Sequence, residues 1–146
     1  MRRYSFVKKT SRRGSAVLDA ALVFPILLSL TFGTIEFGYY FYVKHTLQGA
    51  AREGCRAAIT PSATNGDVTN AITASMTAAN LQSSGYTVKI ESPLGTTANV
   101  NSVSAGSTVY VTVTATWGTV GRGFRPLALI GSAKTVVGVT AMRKEG

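Results

Sequence analysis

Asp19 and Glu36 are the only charged residues in the apolar run from Ser15 to Val43, SAVLDAALVFPILLSLTFGTIEFGYYFYV. A carboxylate in hydrocarbon is costly unless it is paired or hydrogen-bonded, so an acid in such a run either serves a function or reaches the headgroups. Other chemistry-bearing residues are sparse. His45 is the single histidine and Cys55 the single cysteine, too few for a closed zinc site, which takes four ligands at short spacings. His45 is expected to be solvated. Cys55 is expected to be a small buried residue, with an intermolecular disulfide in an oxidising compartment as the alternative. Asp67, Glu91 and Glu145 fall in a helix-capping pattern, a strand pattern and the terminal tail. No acid/base pair emerges from these positions, so the expectation is a non-enzyme with no catalytic residue, no cofactor and no metal.

The element that must position the two carboxylates is a helix. Ala20 to Ile35 carries no charge, and the flanks extend the run on both sides. From Ser15 to Glu36 a helix rises roughly 32 Å, about one hydrocarbon thickness. Phe37, Tyr39, Tyr40, Phe41 and Tyr42 form an aromatic cluster of the kind that settles at the headgroup boundary. Pro25 removes the hydrogen bond to Ala21, and a bend is expected there. Ser29 with Gly33, and Thr34 with Gly38, are small residues four apart that would let a second helix approach. Glu36 is either solvated by headgroups or paired with Lys44, Arg52 or a partner subunit.

Charge is distributed unevenly across the 146 residues. The total is 15 Lys+Arg against 6 Asp+Glu, a net of +9. Arg2, Arg3, Lys8, Lys9, Arg12 and Arg13 all precede Gly14, so the basic balance belongs mainly to a short leader. This argues against nucleic-acid binding, which spreads cations along a folded face. It also sets an orientation, with the N-terminus cytoplasmic and the remainder exported. A secretory signal peptide fits poorly, because no A-x-A pattern follows Leu30, and the twin-arginine pattern in Arg2-Arg3-Tyr4-Ser5-Phe6 or Arg12-Arg13 is weak. Cleavage between Gly14 and Ser15, before the apolar run, would leave the helix on the mature protein.

Beyond the membrane run, Leu47, Ala50, Ala51, Gly54, Cys55 and Ala58 form one stripe of a continuing helix, and Lys44, Gln48, Arg52 and Arg56 form another. Pro61 to Gly66 breaks that helix. Thr64-x-x-Asp67 is a capping box opening a second helix to about Leu81, with Val68, Ile72, Met76 and Ala79 on one face and Ser83-Ser84-Gly85 as its end. Three strand patterns follow: Tyr86–Glu91, Val109–Trp117 and Lys134–Met142. A Gly-rich loop from Gly118 to Gly131 carries Phe124, Pro126, Leu127, Leu129 and Ile130, apolar residues for the core or a membrane surface. Its glycines do not follow a nucleotide-binding pattern.

The expected fold is α+β: a long N-terminal transmembrane helix, a second helix and a small three-stranded antiparallel sheet, with both helices on one face. The divisions are 1–14, a basic leader; 15–60, the transmembrane helix with its amphipathic extension; and 61–146, the exported domain. Tyr110, Thr112, Thr114 and Thr116 should line the open face of the sheet, either as plain surface or as a binding surface.

Gly14, Asp19, Leu22-Val23-Phe24-Pro25 and Gly33-x-x-Glu36 resemble the opening of TadE-like proteins, the pseudopilins of Tad/Flp pilus systems. Ala50–Ala58 is similar to the family's Ala/Arg-rich continuation, and Val139–Glu145 to its last strand. The resemblance implies processing by a prepilin peptidase after Gly14, with Ser15 as the new terminus. It also implies a place in the bacterial inner membrane and partnership with other pilin-like subunits in a machine for adhesion or secretion. Asp19, one helical turn from Ser15, could then pair with the new α-amino group of its own or a neighbouring subunit, or reach the cytoplasmic headgroups. Asp19, Pro25 and Glu36 are thereby the candidate assembly residues. The rival expectation is an uncleaved bitopic envelope protein whose exported sheet is a binding module.

Overall fold

The computed structural model describes residues 13–120 and 125–146. Residues 1–12, which carry most of the expected leader, the first twin-arginine pattern and Arg12 of the second, and residues 121–124 of the Gly-rich loop lie outside them. Helix α1 runs unbroken over Arg13–Ala58, through Pro25. Within the first half the helix satisfies its backbone groups internally except at the Ala21 carbonyl, which faces the missing N–H of Pro25; internal pairing is the requirement for a single segment in lipid. In its second half the expected stripe holds: Leu47, Ala50, Ala51, Gly54, Cys55 and Ala58 are all buried.

Helix α2 spans Asn65–Ala78. The Thr64 N–H donates to Asp67 Oδ2 at 2.9 Å and the Asp67 N–H donates to Thr64 Oγ1 at 3.3 Å, the reciprocal capping box anticipated from the sequence. The helix ends earlier than expected. Asn80 takes a left-handed conformation (φ 56°), the Leu81 N–H donates to the Met76 carbonyl at 2.8 Å and the Asn80 N–H to that of Thr77 at 2.9 Å. An asparagine can adopt this backbone locally, so the chain turns before the Ser-Ser-Gly segment.

Strands β1 (Thr87–Glu91), β2 (Thr108–Thr116) and β3 (Thr135–Arg143) form one antiparallel sheet in the order β1-β2-β3. Val88 faces Val113, and Val113 in turn faces Gly138. Val109, Val111, Val113 and Ala115 are buried on one face, while Tyr110, Thr112 and Thr114 are half-buried and Thr116 exposed on the other, as period-two alternation requires. Trp117 departs from the expected strand. It opens α3 (Trp117–Val120), a single helical turn. Its N–H still donates to the Lys134 carbonyl at 2.7 Å, so the ladder between β2 and β3 closes there before the chain leaves the sheet.

The sheet meets α1 at a glycine. A Cβ on Gly138 would overlap the backbone of Leu47 and Gln48, so the helix lies directly on β3. Beside this contact the Gln48 amide donates to the Val139 carbonyl at 2.6 Å and accepts from the Val139 N–H at 3.2 Å, pairing an otherwise open edge strand. Gln48, which shares its stripe with Lys44, Arg52 and Arg56, is therefore a docking residue. Helix α2 lies against α1 where Gly54 leaves room, a Cβ there falling 2.7 Å from Ile72 and 3.3 Å from Val111. The tail is tied back as well: the Glu145 N–H donates to the Ile59 carbonyl at 2.9 Å, and the buried Lys144 ammonium donates to the Val100 carbonyl.

Candidate functional site

The stem changes character at Gly33. Every residue from Gly14 to Phe32 is exposed, including Leu18, Leu22, Phe24 and Leu30, each more than three-fifths accessible. Helix α1 is long and apolar enough to cross a membrane, and a contiguous apolar surface of this kind needs lipid or other protein around it. Two of its threonine hydroxyls bond back to the helix: Thr31 Oγ1 donates to the Leu27 carbonyl at 2.8 Å and Thr34 Oγ1 to that of Leu30 at 2.9 Å. Such back-bonding leaves methyl groups facing outward.

Both small-residue pairs noted in the sequence converge on one groove. Ser29, Gly33, Thr34 and Gly38 share its lining with Phe37, Phe41 and Leu129, around about 600 Å³ of open space. Among the described residues, no atom beyond its own turn of helix lies within 4 Å of a Cβ built on Gly38, which leaves room for an incoming helix.

Asp19 and Glu36 sit in opposite surroundings. Asp19 stands exposed on the stem, as do Gly14, Ser15 and Pro25. Glu36 is fully buried. Its Oε1 accepts the Ile130 N–H at 3.1 Å, while its Oε2 is buried without a hydrogen-bond partner among the described residues. Neither headgroup solvation nor an intrachain pairing with Lys44 or Arg52 describes Glu36. A loop more than ninety residues away in sequence caps it, and no local spacing could have indicated that partner.

The aromatic cluster divides likewise. Phe37, Phe41 and Tyr42 are exposed, but Tyr39 and Tyr40 are half-buried against Trp117, with ring centroids 5.7 and 5.3 Å away. The Tyr42 hydroxyl donates to the Ala79 carbonyl at 3.0 Å and that of Tyr39 to the Val120 carbonyl at 3.4 Å. Amphipathic rings suit a lipid boundary and a domain boundary equally. Here Tyr39 and Tyr40 serve a domain boundary while Phe37, Phe41 and Tyr42 stay exposed, a division that composition alone does not reveal.

Cys55 and His45 lie in opposite surroundings. Cys55 is buried, its thiol donating to the Val109 carbonyl at 3.4 Å, and burial pushes its pKa up to about 11. His45 is exposed. No cluster of His, Cys, Asp or Glu with metal-binding geometry occurs among the described residues.

Neither a curated protein nor a solved structure matches the chain significantly. Residues 14–56 match the family described as TadE-like protein, a match that opens at Gly14 and ends two residues short of the end of α1, so the similarity lies along the stem helix.

Proposed function

We propose that this chain is a membrane-anchored minor pseudopilin of a Tad/Flp-type pilus, a structural subunit of an adhesion or secretion machine. The observation that carries the reading is the coincidence of the TadE-like match with a single helix, exposed and apolar through Phe32 and docked onto a small α+β domain from Gly33 onward. A stem of this construction holds a soluble head at the bilayer and offers its free face to sister helices. Prepilin peptidase cuts after Gly14, and Ser15 becomes the terminus. The basic leader keeps that end cytoplasmic until cleavage, and the domain from residue 61 onward is exported.

In this scheme Asp19 receives the new α-amino group. The two lie one turn apart, about 6 Å along the helix axis, close enough for pairing within a subunit and, in a bundle, between neighbours. Pro25 gives the lipid-facing segment a backbone carbonyl with no helical N–H partner, and small-residue packing by a neighbouring helix can cover it. Glu36 is positioned by its own subunit's loop, so its part in assembly is to hold the head at a fixed angle to the stem.

Replacement of Asp19 by Asn tests the scheme. Cells carrying Asp19→Asn are expected to process the chain normally, with pilus assembly or incorporation of the subunit lost. Normal assembly by this variant would remove the pairing role.

The open sheet face favours a second reading. Tyr110, Thr112 and Thr114 are half-buried and Val137 and Val139 exposed, a surface that an uncleaved envelope protein could use as a binding module. Retention of residues 1–14 in membranes would favour it.

A further inference from the structure

Where the domain grips the stem, one segment faces away from the core. Arg125 to Ile130 packs onto the turn of α1 that begins at Gly33: Leu129 lies 3.5 Å from a Cβ built on Gly33, and the Ile130 N–H bonds Glu36. Pro126, Leu127 and Leu129 are nevertheless exposed, Leu129 by more than half. Ala128 holds a left-handed backbone (φ 51°) between the two leucines, and the cationic Arg125 and Lys134 flank them in sequence.

The length of free helix says what covers this patch. The exposed part of the stem, Ser15 to Phe32, rises about 26 Å, against a hydrocarbon core of roughly 30 Å. A bilayer that encloses the exposed stem therefore has its far boundary at the turn holding Gly33 and Glu36, the turn that the segment packs on. At that depth an apolar edge flanked by cations meets acyl chains below it and phosphates beside it.

We propose that Arg125–Ile130 is a second membrane contact: an interfacial foot whose Leu127 and Leu129 enter the headgroup boundary of the leaflet beneath the exported domain. This rests on the spanning reading of α1. The foot and the stem together hold the domain at two points, which restrains its tilt on the membrane. The foot also explains the burial of Glu36, because the segment that touches lipid is the one that separates this carboxylate from it.

Site-directed spin labelling of the full chain tests the proposal. In a Cys55→Ser background, single labels are placed at Leu127→Cys and Leu129→Cys. Leu22→Cys serves as a mid-stem reference and Asn101→Cys as an exposed reference. The chains are reconstituted at high dilution into phosphatidylethanolamine/phosphatidylglycerol vesicles. Collisions with oxygen and with a water-soluble nickel chelate are then compared.

The foot predicts that oxygen collisions dominate at 127 and 129, less strongly than at 22, while chelate collisions dominate at 101. Chelate-dominated labels at both 127 and 129 with position 22 in lipid would overturn the foot and leave the spanning stem intact. A chelate-accessible position 22 would overturn the spanning reading and the foot with it. Protection of 127 and 129 that appears only at high protein density would assign the patch to a second copy, and would also overturn the proposal.

Discussion

From Gly14 to Phe32 every residue of α1 is exposed, whereas from Gly33 to Ala58 the same helix is gripped by β2, β3, α2 and the segment before β3. The two halves belong to one unbroken helix. They differ in where each finds burial: the first half needs an environment outside the chain, the second finds it in the domain. Their acids follow suit, Asp19 exposed and Glu36 sealed beneath Ile130. A continuous helix can thus be an anchor at one end and a core element at the other, with the changeover set by a loop far along the chain.

The comparison breaks most severely at Gly138. Gly138→Val places carbon atoms on the backbone of Leu47 and Gln48, which cannot move aside as a flexible side chain would. Thermal unfolding of the detergent-solubilised chain should show a loss of about 3 kcal/mol. Leu22→Ala, in the exposed half, should change domain stability by less than about 0.5 kcal/mol, as for other exposed sites. Equal effects at the two positions would mean that the halves are not energetically distinct.

Glu36→Leu comes next. It leaves the Ile130 N–H without its acceptor and should cost about 2 kcal/mol by the same measurement, with Glu36→Gln, which retains an acceptor, costing less. Gln48→Ala removes both side-chain bonds to Val139 and should cost about 1 kcal/mol. It also opens the β3 edge, so size-exclusion chromatography at rising concentration should show more self-association than for the native chain.

A further effect appears only in alkali and is absent at neutral pH. The Cys55 thiol ionises near 9 when unfolded and at about 11 in the fold. Between these values the unfolded chain has already lost the proton that the folded chain keeps, so stability falls as pH rises. Below about 9 the group contributes no slope. Cys55→Ser should abolish this alkaline component, and a thiol reagent at neutral pH should leave the folded native chain unlabelled.

Much of the fold was legible because it is local. Thr64 and Asp67 stand three residues apart and cap α2 as their types dictate. The alternation of Val109, Val111 and Val113 with Tyr110, Thr112 and Thr114 assigned both faces of β2. The spacing of Leu47, Ala50, Ala51, Gly54 and Cys55 marked the docked face of α1. The long-range features were not legible. Glu36 and Gln48 find their partners at Ile130 and Val139, and nothing near them in the sequence distinguishes a sealed carboxylate from a solvated one. Trp117 continues the strand pattern yet leaves the sheet, because packing against Tyr39 and Tyr40 outweighs strand propensity. Gly138 did carry a signal: a glycine inside a valine-rich strand often marks a close backbone approach.

The central claim is that the exposed half of α1 remains on the finished molecule, in lipid, with Ser15 at its end. Intact-mass spectrometry of the native chain purified from membranes tests this most directly. The expected mass is that of residues 15–146, recovered in the membrane fraction. A soluble species lacking residues 15–43 would contradict the account, since the feature on which it stands would then be absent from the working protein.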